Sequence, residues 1–192
     1  MLSAGFVCHV AFLVDETPLA LPTGYGYDAE NDTIFLHGSV ASRSLLESPG
    51  QTICVTVTHV DGLVLARSVF EHSVNYRCAM VFGIPSVVTA TQEKLHGLRV
   101  LSEQAAPGQW DYARQPSGRE LAATTLLALR VEEASVKLST GHPDDGESPD
   151  ARLPVWAGKL PLEHIWGTPQ PDPLLREGIG LPPHIAARAG TN

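Results

Sequence analysis

Two β-rich runs, Thr52–Val60 (TICVTVTHV) and Leu63–Phe70 (LVLARSVF), flank Asp61-Gly62. Both alternate β-branched residues with others, the period of a half-buried strand. Asp-Gly between such runs is a strong short-range hairpin signal, so an antiparallel pair is expected here. Upstream, Gly5–Val14 (GFVCHVAFLV) is a nearly continuous apolar run ended by Asp15-Glu16-Thr17-Pro18. Leu19–Tyr27 follows with Pro22 inside it, which places that strand at an edge or bulge. Asp28–Asp32 reads as a turn and Thr33–His37 as the next strand. Ser39–Glu47 reads as a short helix that stops before Pro49-Gly50.

Downstream, Tyr76–Val88 is a strand kinked near Gly83 and Pro85. Thr89–Gln104 is a helix, with leucines at 95, 98 and 101 and a Thr89…Gln92 capping-box spacing. Ser117–Leu127 is a second helix opened by Ser117…Glu120, and Leu127–Ser139 is a last long strand. Consecutive strands with short turns and peripheral helices predict a mainly β antiparallel barrel over residues 1–140. Nine of the fifteen prolines fall after residue 142, so residues 141–192 read as an extension with one apolar patch, Leu153–Leu162.

The 192 residues are one domain's length, or a domain and a tail. Hydrophobic residues make up 43% and charged residues 18%, enough apolar surface for a packed core. A net charge of -8 without a basic stripe argues against nucleic acid as a partner. The apolar runs are too short to span a bilayer as helices, and no secretory signal opens the chain. Cys8, Cys54 and Cys78 lie far apart, neither a disulfide framework nor a paired zinc motif, so a reducing cytoplasmic setting is expected.

Gly24-Tyr25-Gly26-Tyr27-Asp28-Ala29 matches a dinucleotide fingerprint in letters only. That motif needs a helix directly after it, and here a polar turn and a strand follow, so the glycines are read as easing a strand end. Up to residue 93 the only Lys or Arg residues are Arg43, Arg67 and Arg77. Arginine forks suit phosphate oxygens. Arg43 lies among Ser39, Ser42 and Ser44 at an expected helix start, where hydroxyls, backbone N–H groups and a guanidinium form an anion seat. A solvated surface arginine is the alternative. Asn75, Tyr76, Arg77 and Cys78 open a strand with groups that suit a flat anionic ligand; a surface ion pair to Glu71 is the other reading.

Four stretches together carry a resemblance: Gly5–Phe12 (GFVCHVAF), Leu21–Gly26 (LPTGYG), Leu36–Arg43 (LHGSVASR) and Phe70–Gly83 (FEHSVNYRCAMVFG). In order and spacing the chain resembles the pyridoxamine 5'-phosphate oxidase-like flavoproteins, in the flavin-nucleotide-binding branch related to nitroimidazole-resistance proteins. The resemblance implies a six-stranded antiparallel split barrel with two or three peripheral helices, dimeric, with FMN between two subunits. It assigns Ser39, Ser42 and Arg43 to the phosphate side, and Thr23, Tyr76, Arg77 and Cys78 to the flavin side. His37 joins the cofactor-binding set as a candidate proton shuttle beside His72, although ordinary barrel histidines are the plainer reading of both. Ser44 stands where many relatives have Lys, and the chain starts almost at the first barrel strand. The function implied is an FMN-dependent oxidoreductase acting on a small molecule, with no catalytic side chain singled out and no metal site. A deazaflavin in place of FMN, a non-enzymatic flavin carrier or sensor, and a haem-binding split barrel stay open.

Overall fold

A computed structural model describes residues 1–42 and 47–190. The chain divides into two compact units. The first comprises Met1–His59 and Arg77–Lys137, and the second Val60–Tyr76 and the chain from Leu138 onward.

In the first unit β1 (Val7–Val14) and β2 (Thr17–Asp28) form a hairpin in register from Val7↔Gly24 to Val14↔Thr17. Its two-residue loop is Asp15-Glu16, both at positive φ (47° and 63°). That geometry matches the right-handed twist of the flanking strands. β3 (Thr33–Ser39) pairs with β2 only from Tyr25↔Leu36 to Asp28↔Thr33, but with β7 (Thr124–Arg130) along its whole length. Pro18 and Pro22 therefore lie in the half of β2 that has no β3 neighbour, a local edge where a missing N–H costs no ladder bond. β4 (Ile53–Leu65) pairs with β1 at His9↔Thr56 and Ala11↔Cys54. β5 (Ser73–Gly83), β6 (Ser86–Val87) and β8 (Glu133–Ser139) complete the strand order β6-β7-β3-β2-β1-β4-β5-β8.

Alternation places Cys8, Val10, Phe12 and Val14 of β1 and Ile53, Val55 and Val57 of β4 in one core with Tyr25, Ile34, Leu36, Val81, Leu127 and Leu129. Each such side chain contributes about 1.5–3 kcal/mol on burial. On the opposite face of β3, Phe35 and Leu126 pack with Val88 and with Leu101 of α1 (Thr91–Ala105). Two glycines permit this approach. A Cβ on Gly26 would sit 2.7 Å from the Leu101 backbone nitrogen, and one on Gly97 2.6 Å from a Leu126 methyl. The fingerprint-like Gly26 thus serves helix–strand contact rather than a strand end. Short helices α2 (Gln109–Tyr112) and α3 (Gly118–Ala122) follow, and the Ser117…Glu120 capping box is formed.

In the second unit the outer half of β4 pairs with β9 (Gly158–Pro161), from Gly62↔Pro161 to Leu65↔Gly158. Arg67 and Asp145 join two segments of this unit. The buried Asp145 carboxylate accepts from the Arg67 backbone N–H at 2.6 Å and from its guanidinium at 2.7 Å. Near the C-terminus, residues 166–190 close on themselves. Gly190 N–H donates to the Trp166 carbonyl at 2.8 Å, and the Arg188 guanidinium stacks 4.3 Å over the Trp166 ring. α4 (Pro183–Ala186) lies inside that loop.

Several expectations need correction. Asp61-Gly62 makes no hairpin, because β4 runs straight through it. Gly62, at φ 149°, is there because β9 crosses so closely that a Cβ would lie 2.5 Å from the Leu160 carbonyl oxygen. The Leu127–Ser139 strand is two strands, β7 and β8, and Leu126 and Leu127 belong to β7 rather than to a helix. The cap of α1 falls on Ala90 without a side-chain bond, so the Thr89…Gln92 box is not made. The sheet has nine strands among the described residues rather than six. The Ser39–Glu47 helix falls largely on residues 43–46, outside the described residues.

Candidate functional site

Beyond Leu36, β3 leaves β2 but stays on β7 through His37↔Leu126 and Ser39↔Thr124. The sheet opens at this point, and the last residues of β3 present polar groups there. The Ser39 carbonyl accepts from Ser42 N–H at 2.8 Å, and its hydroxyl oxygen accepts from Ala41 N–H at 3.2 Å. Val40 N–H donates to the Ala123 carbonyl at 3.2 Å, which ties the turn to the end of α3. As a hydroxyl, Ser39 also has one proton to donate. His37 is exposed, yet the protein mass around its ring lowers its pKa by desolvation, so it is neutral at pH 7. Arg43, the cation expected here, lies outside the described residues.

Thr23 sits on β2 opposite Cys8, half-buried, at the edge that β3 has left. Burial pushes the Cys8 thiol up to about 12, so it is a neutral packing group and not a nucleophile. On β5, Arg77 and Cys78 are half-buried, and Thr58 Oγ1 of β4 donates to Cys78 Sγ at 3.4 Å. Tyr76, also half-buried, belongs to the second unit. The expected residues therefore fall into two groups. His37, Ser39 and Ser42 share the end of β3, with Thr23 on the next strand, while Arg77 and Cys78 lie on β5 beyond β2, β1 and β4. The sheet face between them carries no formal charge. Val7, His9, Ala11 and Leu13 point away from the core, opposite Gly24, Pro22, Ala20 and Pro18, and continue into Thr56 and Cys54.

Sequence reading missed two polar pairs. His96 Nε2 lies 2.7 Å from Asp28 Oδ2. Burial alone would raise the Asp28 pKa, but bonds from Asn31, His96 and the Asn31 and Glu30 backbones hold it below the usual range. This pair fastens α1 to the β2–β3 turn. The other is Arg67–Asp145, which gives a structural role to an arginine with no assigned task. No local signal links partners 68 and 78 residues apart. Among the described residues no cluster of His, Cys, Asp and Glu suits a metal ion. No described helix is long and apolar enough to cross a membrane.

Residues 1–138 match the sequence profile of the family described as pyridoxamine 5'-phosphate oxidase. The chain belongs to this family of flavin-binding split barrels. No curated protein is significantly similar to it. Among solved structures, the FAD- and haem-binding protein of Mycobacterium smegmatis is 37% identical, with 98% of this chain and 92% of that one covered and a TM-score of 0.92. The flavocytochrome Anf3 of Azotobacter vinelandii is 33% identical, covering 98% and 87%, with a TM-score of 0.90. A Bacteroides thetaiotaomicron protein named for 5-nitroimidazole antibiotic resistance shares the fold at 19% identity, covering 70% and 77% with a TM-score of 0.57. The first two likenesses include the segment after residue 138, which the family profile does not reach.

Proposed function

We propose that this split barrel is a flavin-dependent redox protein that holds FMN or FAD between two copies of the chain and acts on a small molecule. The observation that carries the reading is the opening of the sheet beyond Leu36, where His37, Ser39 and Ser42 meet at the edge of an uncharged face. The Ser39 hydroxyl would donate to the phosphate next to the ribityl chain, a group that FMN and FAD share, and Arg43 would supply the cation. His37, neutral at pH 7, exchanges a proton at its ring nitrogen. Arg77 would place positive charge beside the bound flavin. The flavin supplies the hydride or electron transfer; the protein binds, orients and excludes water. A second copy covers the sheet face and brings the two residue groups, set apart on one sheet, to either side of one ligand.

The purified protein is expected to show flavin absorbance. Arg43→Ala removes one partner of a charge-assisted pair, worth about 2–5 kcal/mol, so FMN affinity should fall roughly 30- to 3,000-fold. Riboflavin, without the phosphate, should bind both forms alike. Equal weakening of both ligands assigns Arg43 to the fold and overturns the seat.

A haem is the second proposed group, since both whole-chain neighbours are described as haem or flavocytochrome proteins. His72 would hold the haem iron. It is exposed and follows Val69 and Phe70, which are 83% and 89% exposed, an apolar setting for a porphyrin edge. Its Nε2 lies 3.2 Å from the Ala66 carbonyl, which can only accept, so the ring proton is on Nε2 and the Nδ1 lone pair is left for iron. A Soret band in the wild type that His72→Ala loses, with flavin absorbance retained, is the expected result. A Soret band unchanged in His72→Ala assigns the iron to another ligand.

A further inference from the structure

A cavity of about 220 Å³ lies wholly within the second unit, where the chain enters β5 and leaves β8. Glu71, Ser73 and Asn75 line it from one segment, and Ser139, Thr140 and Asp144 from the other. The second segment is fastened at its middle and its end. Asn75 Nδ2 donates to the Gly141 carbonyl at 3.1 Å. Asp145, next in the chain to Asp144, is buried, carries the two Arg67 bonds, and accepts from Ser148 Oγ through its carbonyl at 2.8 Å. The cavity is therefore shaped before a ligand arrives, and binding costs little ordering of the chain.

Its lining has a charge sign. Glu71 is half-buried and Asp144 is exposed. Among the described residues neither carboxylate makes a hydrogen bond or an ion pair. The lining contains no Lys or Arg, and Arg67 of the same unit is engaged with Asp145. His142, also in the lining, is exposed. With the Asn75 amide nitrogen turned to Gly141, its oxygen is left to accept, and Ser73, Ser139 and Thr140 add hydroxyls. Anions would meet two carboxylates without a fixed cation. No cluster of His, Cys, Asp and Glu among the described residues suits a metal ion. A half-buried carboxylate beside hydroxyl and amide acceptors suits a cation that donates several hydrogen bonds, which is an ammonium group. The volume is below the roughly 300–1,000 Å³ of drug-sized pockets, so the ligand has few heavy atoms.

We propose that this cavity binds a small hydroxylated organic ammonium ion, with Glu71 as its counter-ion. Asp144 adds negative charge from the exposed side, and the hydroxyls and the Asn75 amide take the ligand's remaining hydrogen bonds. None of the residues assigned above to flavin or haem lines the cavity, so the proposal stands apart from that reading.

The test uses the full chain as purified, with whatever cofactor it carries. 4-Amino-1-butanol is titrated and followed by amide NMR, with butane-1,4-diol as the uncharged twin of the same length. The amine should shift the Thr140 and Gly141 amides, and the diol should bind at least about tenfold more weakly. Glu71→Gln keeps the shape and removes the charge, so the amine's affinity should fall about 10- to 100-fold with an unchanged circular dichroism spectrum. Asp144→Asn, at an exposed position, should act in the same direction by less. No shift at Thr140 and Gly141 in tens of millimolar amine overturns the site. Equal binding of amine and diol, or equal affinity in Glu71→Gln, overturns the ammonium as its ligand. Displacement of the amine by added FAD or haem assigns the cavity to the cofactor and overturns it as a separate site. A chain that binds no flavin but shows the expected shifts defeats the flavin reading and leaves this proposal standing.

Discussion

In the first unit, strands bury every second side chain around Val55, Val57, Val81 and Leu127, none more than 1% exposed. In the second, the buried side chains among the described residues are Val64, Ala66 and Asp145. The first unit stands on apolar burial. The second is held by the Arg67–Asp145 pair, a four-residue strand and a closed loop among its contacts, and leaves most of its leucines outside. Burial on this scale makes a unit self-sufficient. A unit with so little of it depends more on hydrogen bonds that water can replace.

The strongest way to break the contrast is at two tight glycines, Gly26 in the first unit and Gly62 in the second. Gly26→Ala drives a methyl into the α1 backbone, which cannot rotate away as a side chain would. It should cost about 3 kcal/mol of global stability, seen in chemical denaturation. A loss under half of that would mean that α1 slides easily on the sheet. Gly62→Ala combines positive φ with a clash on the Leu160 carbonyl and should cost about 1–3 kcal/mol. Its effect should be local: by hydrogen exchange the Leu160 amide loses protection while Val55 keeps it. Equal loss at both would show that the two units unfold together.

Acid sharpens the comparison next. The Arg67 backbone N–H is the largest influence holding the Asp145 pKa below its usual value, aided by the guanidinium. A depressed carboxylate contributes stability above its unfolded pKa, about 3.9, and loses it as pH falls through the lower folded value. The Arg67 amide NMR signal should therefore hold as pH falls from 7 through the ordinary carboxylate range and shift only below it. Asp145→Asn should remove that shift; its persistence would assign the titration elsewhere. The smallest effect belongs to Ser117→Ala, which removes the capping box of α3 and should cost about 1 kcal/mol in the same denaturation experiment.

Local pattern was enough for much of the first unit. The apolar run of β1, the prolines of β2, the leucines of α1 and the Ser117 box are all short-range signals, and the family motifs added the split barrel; the expected single strand Tyr76–Val88 is instead broken after Gly83 into β5 and β6, which lie at different places in the sheet. Ser39 and Ser42 stand out in the sequence at an expected helix start; Ser39 instead ends β3, and its hydroxyl and carbonyl oxygens accept from the Ala41 and Ser42 N–H groups of the turn that follows. Two turn signals show the limit. Asp61-Gly62 has the preferred hairpin letters and runs straight, whereas Asp15-Glu16 lacks glycine and turns.

By itself, the sequence determined where strands and helices tend to form, which faces are apolar, and to which family the chain belongs, because those properties depend on neighbours a few residues apart. Tertiary structure alone decided that Gly62 makes room for β9, that Gly26 makes room for α1, that Arg67 is held by Asp145 and that β3 parts from β2 after Leu36. Each of these depends on backbone approaching from a distant part of the chain. Close approach selects for the absence of a Cβ or for a matching charge, and neither reveals its partner until the chain has folded.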